Sequence, residues 1–364
     1  MTAPISRRAL QLLPPLATTG IGSLPHSQLE LALQMALQVD VPYLPQLPAG
    51  NPSEFMIPGA LDGLPGLRYD SEGLCTVNID EWQARREAFG TSVEASLTSG
   101  ELEPFEPSPQ ACRAWKPFLW EVANRKLAFA KAQIAGPTTV RWATKTSTGS
   151  PVSESAQLDQ QIFRLLLAKA LAMAKAIRRS PATPIIYLDE PGLYALQRTN
   201  AQHLVALQEI KVLVMALQRE GALVGLHCCG NTEWDLLLDC GVDLLSLDVR
   251  LSLDAALENL PAVERFLDSG AAFSLGIIPT NVTASFAVSE LVDSVEASLI
   301  ATFGRSRARQ VMMRAVLTPA CGLAMRSVGV AERTFEQLRE AQRLLKQAAE
   351  VDLPSPQPVS SPPN

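Results

Sequence analysis

A chain of 364 residues, 47% of them apolar and 19% charged, can bury one sizeable core, and its length suits a single large α/β barrel. The formal net charge of −6 and a pI near 5.3 argue against a nucleic-acid or other polyanionic partner. No run approaches the roughly 20 apolar residues of a membrane span, so no membrane partner is expected.

The N-terminus "MTAPISRRALQLLPPLATTG" has two arginines but no apolar stretch followed by a cleavage site, and it does not read as a signal peptide. Six unevenly spaced cysteines in so long a chain read as the reduced thiols of a cytoplasmic protein.

Short apolar runs alternate with longer stretches of helical period. The runs, each read as a strand, are "TTGIGSLP" (18–25), "VPYLPQLP" (41–48), "KLAFAKAQIAGP" (126–137), "TPIIYLDEP" (183–191), "ALVGLHCCG" (222–230), "DLLSLDV" (243–249), "AAFSLGIIPT" (271–280) and "QVMMRAVLTPACG" (310–322). Helical segments follow most of them: 27–39, 155–180, 201–221, 231–241, 253–270, 289–304 and 331–351. Parallel strands need helical crossovers, so this alternation predicts an α/β fold, a (β/α)8 TIM barrel. An open doubly wound sheet would usually carry a Gly-rich phosphate loop after its first strand, and none is present. Residues 1–350 are expected to form the one barrel. Residues 49–125 are too long for one unit and read as an insertion after the second strand, with a helix at "NIDEWQARREAFG" (78–90). The Pro/Ser-rich tail 351–364 is expected to be disordered.

Active sites of such barrels lie at the C-terminal ends of the strands. There the sequence offers Ser23 and His26, the turn Gly136-Pro137-Thr138, Asp189 and Glu190, His227 and Cys229, Asp248, Thr280, and Cys321. Alternation along a strand sends His227 and Cys229 to one side and Cys228 to the other. With Cys321 arriving from the eighth strand, one imidazole and two thiols form a candidate catalytic zinc site with an open fourth position. The competing reading of an isolated His-x-Cys is ordinary packing of buried thiols.

Five stretches resemble the catalytic domain of cobalamin-independent methionine synthases, in the superfamily that also holds uroporphyrinogen decarboxylase. They are "TTGIGSLPHS", "IAGPTTVRW", "YLDEPGL", "LHCCG" and "LTPACGLAMRS", in the family's order from residue 18 to residue 327. The resemblance implies a zinc-dependent transfer of a methyl group to a homocysteine-like thiol, giving methionine. It implies zinc on His227, Cys229 and Cys321, with Asp248 where the family has a ligating glutamate. It implies Ile21, Gly22 and Ser23 at the amino-acid end of the thiol and Asp189 on its ammonium group. Glu190 beside it and Trp142 near the methyl donor complete the expected substrate site.

The departures are as informative. Aspartate at 248 is one methylene shorter than the family's glutamate. The family's second carboxylate after Asp-Glu-Pro falls near Ala195. The loop "GIIPTNVTA" lacks the histidine that would donate a proton, and the chain is too short for the second barrel of the long enzymes. Methyl-folate must be protonated before it leaves, whereas cobalt(I) leaves a methylcorrinoid unaided. The expected donor is therefore a methylcorrinoid, free or on a corrinoid protein, ahead of methyl-folate. A porphyrinogen decarboxylase-like lyase, a non-catalytic zinc-binding barrel, and a methyltransferase for another thiol such as coenzyme M stand as alternatives.

Overall fold

The computed structural model describes residues 9–281 and 286–351. Residues 352–364 of the expected tail 351–364, and part of the loop 276–284, lie outside the described residues. Among the described residues there are nine strands: β1 (Leu67–Tyr69), β2 (Cys75–Val77), β3 (Phe129–Ala135), β4 (Lys145–Thr146), β5 (Thr183–Asp189), β6 (Leu223–Cys228), β7 (Leu244–Asp248), β8 (Ala272–Ile278) and β9 (Val316–Pro319). The fold is α/β. Six of the strands form one curled parallel sheet in the order β3-β5-β6-β7-β8-β9, a half-barrel.

The runs expected at 18–25 and 41–48 are extended segments and not regular strands. They meet the sheet at isolated parallel bridges: Thr18 with Leu317 of β9, Ser23 with Gln46, and Tyr43 with Lys131 of β3. Main-chain bonds run along the same path, from Thr19 N to Leu317 O (3.0 Å), Gln46 N to Gly22 O (3.1 Å) and Leu44 N to Lys131 O (2.8 Å). The reason is local. Pro42, Pro45 and Pro48 have no N–H to give to a ladder, and Gly22 has a φ of 151°, so pairing occurs only at single points.

Helices pack the outer face. They include Ala156–Arg178, capped by Ser155 Oγ, Ala201–Arg219, capped by Asn200, Val288–Met313, broken at Gly304, and Val328–Val351. The segment expected as one helix over 253–270 is two, Val249–Leu257 and Leu260–Asp268, because Pro261 starts a new turn capped by Asn259. The last strand begins at Val316 and not at 310, since 310–313 continue the preceding helix. Between 48 and 124 the chain forms short 3-10 turns, the β1–β2 hairpin and the helices Met56–Leu61, Ile79–Ser99 and Trp115–Asn124. Among the described residues no helix is long and apolar enough to cross a membrane.

Alternation divides the strand residues into two sets. Ala130, Ala132, Ile134, Ile186, Leu188, Val224, Leu226, Leu245, Leu247, Phe273, Leu275 and Leu317 join the core beneath the helices. Residues of the other parity face inward. At the strand beginnings Phe129, Ile185, Leu223, Leu244, Ala272 and Val316 form a separate apolar plug with Ala17, just before the first extended segment, and Val41 of the second. Each of the larger side chains contributes about 1.5–3 kcal/mol by its burial. Above the plug the inward residues turn polar, and the site begins there.

Gly225 is needed for this layer. A Cβ added to it would lie 2.5 Å from the ring of Tyr187, which is buried among inward-facing neighbours. Gly225→Ala should therefore lower stability by about 1–3 kcal/mol through overpacking, read from the urea midpoint. An unchanged midpoint would contradict this packing.

Candidate metal and substrate site

β5, β6 and β7 run side by side, and their register sets Asp189 beside His227 and His227 beside Ser246. His227 Nδ1 shares a 2.9 Å hydrogen bond with Ser246 Oγ, which orients the ring and leaves Nε2 for a metal. Cys229 lies just past the end of β6, and Cys321 just past β9. One donor atom from each of His227, Cys229 and Cys321 lies within 4.8 Å of the others, so the three can hold a metal ion. Cys228 points away, as alternation requires; it is buried, and its thiol donates to Gly230 O at 3.4 Å.

The hydrogen bond from Cys229, followed by that from His227, holds Cys321 well below the ordinary thiol range, against the burial that opposes it. Cys229 is pushed up, first by that hydrogen bond to Cys321 and then by burial. One imidazole and two sulfurs, with room for a fourth donor, suit a borderline metal.

A pocket of about 240 Å³ opens over this group. Ile21, Ser23, Asp189, His227, Cys229 and Cys321 all line it. Asp189 is only 8% exposed, and its Oδ1 is buried with no hydrogen-bond partner. Burial raises its pKa to about 6, with His227 and Lys131 pulling it down. A buried acceptor left open at a pocket wall calls for a donor from a ligand. Gly22 does not line the pocket. Its backbone rests on Gln133, whose amide lies 2.5 Å from where a Cβ would stand. Ser23 Oγ rests against Gly322 beside Cys321, leaving no space there for a side chain.

The structure holds the other expected residues apart from this pocket. The Glu190 carboxylate is fully buried and accepts from Thr138 N (3.0 Å), Thr139 N (2.7 Å) and Thr139 Oγ1 (2.7 Å), at the start of helix Pro137–Ala143. Burial pushes its pKa up to about 7 against those donors. Trp142, on the same helix, packs on His203 with ring centres 4.8 Å apart. Asp248 is on the inner face but outside the metal-binding group. It caps helix Val249–Leu257 by accepting from Arg250 N at 2.9 Å. His26 is buried beside the C-terminal helix, in a cavity shared with Glu332 and Glu336.

Four polar residues that the motifs did not indicate belong to the surroundings. Glu54 lines the pocket although its carboxylate has no exposure. It accepts from Leu47 N at 3.0 Å and pairs with Arg113. Gln46 lines the same wall. Lys131 and Gln133 lie below, on the inner face of β3. Lys131 and Gln133 carried a readable signal, two polar residues at period two in an apolar strand. Glu54 carried none, because the turns around it have no period.

The geometry predicts metal affinity by residue. Cys229→Ser and Cys321→Ser should each weaken binding of added zinc by on the order of 100-fold, and Cys228→Ser by no more than about threefold. Competition against a chelator reads this out. An equal loss in Cys228→Ser would contradict the assignment.

Comparison with known proteins finds no matching family model and no matching curated protein. Among solved structures, a methyltransferase from Methanosarcina mazei aligns with a TM-score of 0.53 at 15% identity, over 93% of this chain and 99% of that one. A B12-independent methionine synthase from Shewanella sp. W3-18-1, solved with selenomethionine, aligns with a TM-score of 0.45 at 14% identity. That alignment covers 61% of this chain and 64% of that one, less than two thirds of its length. At 15% identity the likeness to the Methanosarcina protein is one of fold.

Proposed function

We propose that this chain is a zinc-dependent methyltransferase that moves a methyl group to the sulfur of homocysteine, giving methionine. One observation supports this most. The His227–Cys229–Cys321 donors and the open carboxylate oxygen of Asp189 share one pocket with Ile21 and Ser23. A thiol amino acid has complementary groups, a sulfur for the metal end and an ammonium for Asp189. The barrel on which the site rests is read as a (β/α)8 ring, with segments 18–25 and 41–48 as its first two members.

Bound zinc would keep the substrate thiol deprotonated at neutral pH while the two cysteine thiolates leave it nucleophilic. The protein's own residues do the rest. Ser246 fixes the His227 ring. Asp189 takes the ammonium group, and the Ile21–Ser23 segment borders the amino-acid end, so that the sulfur is oriented toward the donor's methyl carbon. Apolar Phe55 and Met56 keep water from that wall of the pocket. The sulfur bonds to the methyl carbon as the bond to the donor breaks, and the donor leaves with the electron pair.

The donor follows from proton supply. The chain has three histidines; His227 is committed to the metal group, and His26 and His203 lie away from the pocket. A leaving group that needs no proton, cobalt(I) from a methylcorrinoid, suits this site better than methyl-folate, whose nitrogen must be protonated to leave. A placed acid is worth roughly 10²–10⁴ in rate. Zinc-loaded protein with homocysteine should form methionine faster from methylcobalamin than from methyl-tetrahydrofolate. The reverse order would reject the corrinoid donor, and no methionine from either would reject the function.

A further inference from the structure

Lys131 is 1% exposed, an ammonium group in the interior of the sheet. Its Nζ donates to Ile21 O at 2.7 Å and to Gln133 Oε1 at 3.1 Å, and lies 4.7 Å from the centre of the Tyr187 ring. Gln133 Nε2 in turn donates to Leu44 O at 2.9 Å and to Gln46 Oε1 at 3.3 Å. These four bonds join three pieces of chain: β3, the segment around Ile21 and the segment around Gln46. Those two segments are the ones that regular strand pairing holds only at single bridges.

Burying an ammonium costs several kcal/mol unless its neighbours compensate. A methionine would fill much the same volume without that cost, so mere packing does not explain a charge here. What the charge reaches does. Ile21 lines the pocket, Ser23 is two residues on, and the turn between them, Gly22, lies against the Gln133 amide. Gln46 is itself a pocket wall. On the neighbouring strand, β5, Asp189 faces the same space, close enough for its charge and that of Lys131 to influence each other.

Building on the methyl-to-thiol reading, we propose that Lys131 and Gln133 are positioning residues for the amino-acid end of the substrate. They hold the Ile21–Ser23 turn and Gln46 from beneath, beside the strand that carries Asp189, and thereby set the preference of the pocket for an α-amino-acid thiol over a simple one. Neither residue touches the thiol sulfur or the metal group.

The test uses the full chain loaded with cobalt(II), whose absorption reports a sulfur entering the metal shell. Wild type, Lys131→Met and Gln133→Leu are each titrated with L-homocysteine and with 2-mercaptoethanol. The wild type should prefer homocysteine. Each variant should keep its cobalt and bind 2-mercaptoethanol within about threefold of wild type, while losing about tenfold or more in homocysteine affinity, the scale of one lost hydrogen bond to a charged group. Variants that keep the wild-type preference overturn the proposal. So does loss of cobalt binding in both variants, which makes the network a support of the fold alone. A wild-type spectrum that ignores both thiols contradicts the thiol reading itself, and the positioning proposal falls with it.

Discussion

Side chains on a strand alternate between faces, and the site depends on that constraint. The bridge pairs fix one parity as inward: Lys131 and Gln133 on β3, Asp189 on β5, His227 on β6, Ser246 and Asp248 on β7. Their immediate neighbours in sequence, Ala132, Leu188, Leu226 and Leu247, are buried against the helices. A slip of one residue in β6 would bring Cys228 to the metal group and send His227 into the outer core. The apolar plug at the strand beginnings and the helices outside resist that slip together, so the core that stabilises the fold also positions the chemistry.

The inward layer is costly to build. Lys131 is buried deeply enough that its pKa falls to about 8, and Asp189 enough that its own rises to about 6. Each group partly offsets the cost of the other. An acceptor of Asp189 nevertheless stays without a partner. A protein that needed only stability would fill this space with hydrocarbon. The proposed substrate, with its ammonium and its thiol, gives a reason to keep an open carboxylate a short way from soft metal ligands.

Much of this was legible in the sequence, because the relevant patterns are local. The strands of the six-stranded sheet are parallel and buried on both faces, so they read as continuous apolar runs. The grouping of His227, Cys229 and Cys321 needed only alternation along one strand and the approach of another. Less legible were features set by long-range contacts. Prolines in 41–48 are compatible with an extended strand pattern, yet they remove the donors a ladder needs. An acid at a strand end can face a pocket, as Asp189 does, or cap the next helix, as Asp248 does, and spacing alone does not distinguish them. Glu54 reaches the pocket from a stretch of irregular turns, which carries no periodic signal.

The central claim is that a thiol substrate enters the shell of a metal held by His227, Cys229 and Cys321. X-ray absorption at the zinc edge measures it directly on the zinc-loaded protein, with and without homocysteine. The account predicts about two sulfur neighbours at roughly 2.3 Å without the thiol and about three with it. A sulfur count that stays the same on adding homocysteine would contradict it.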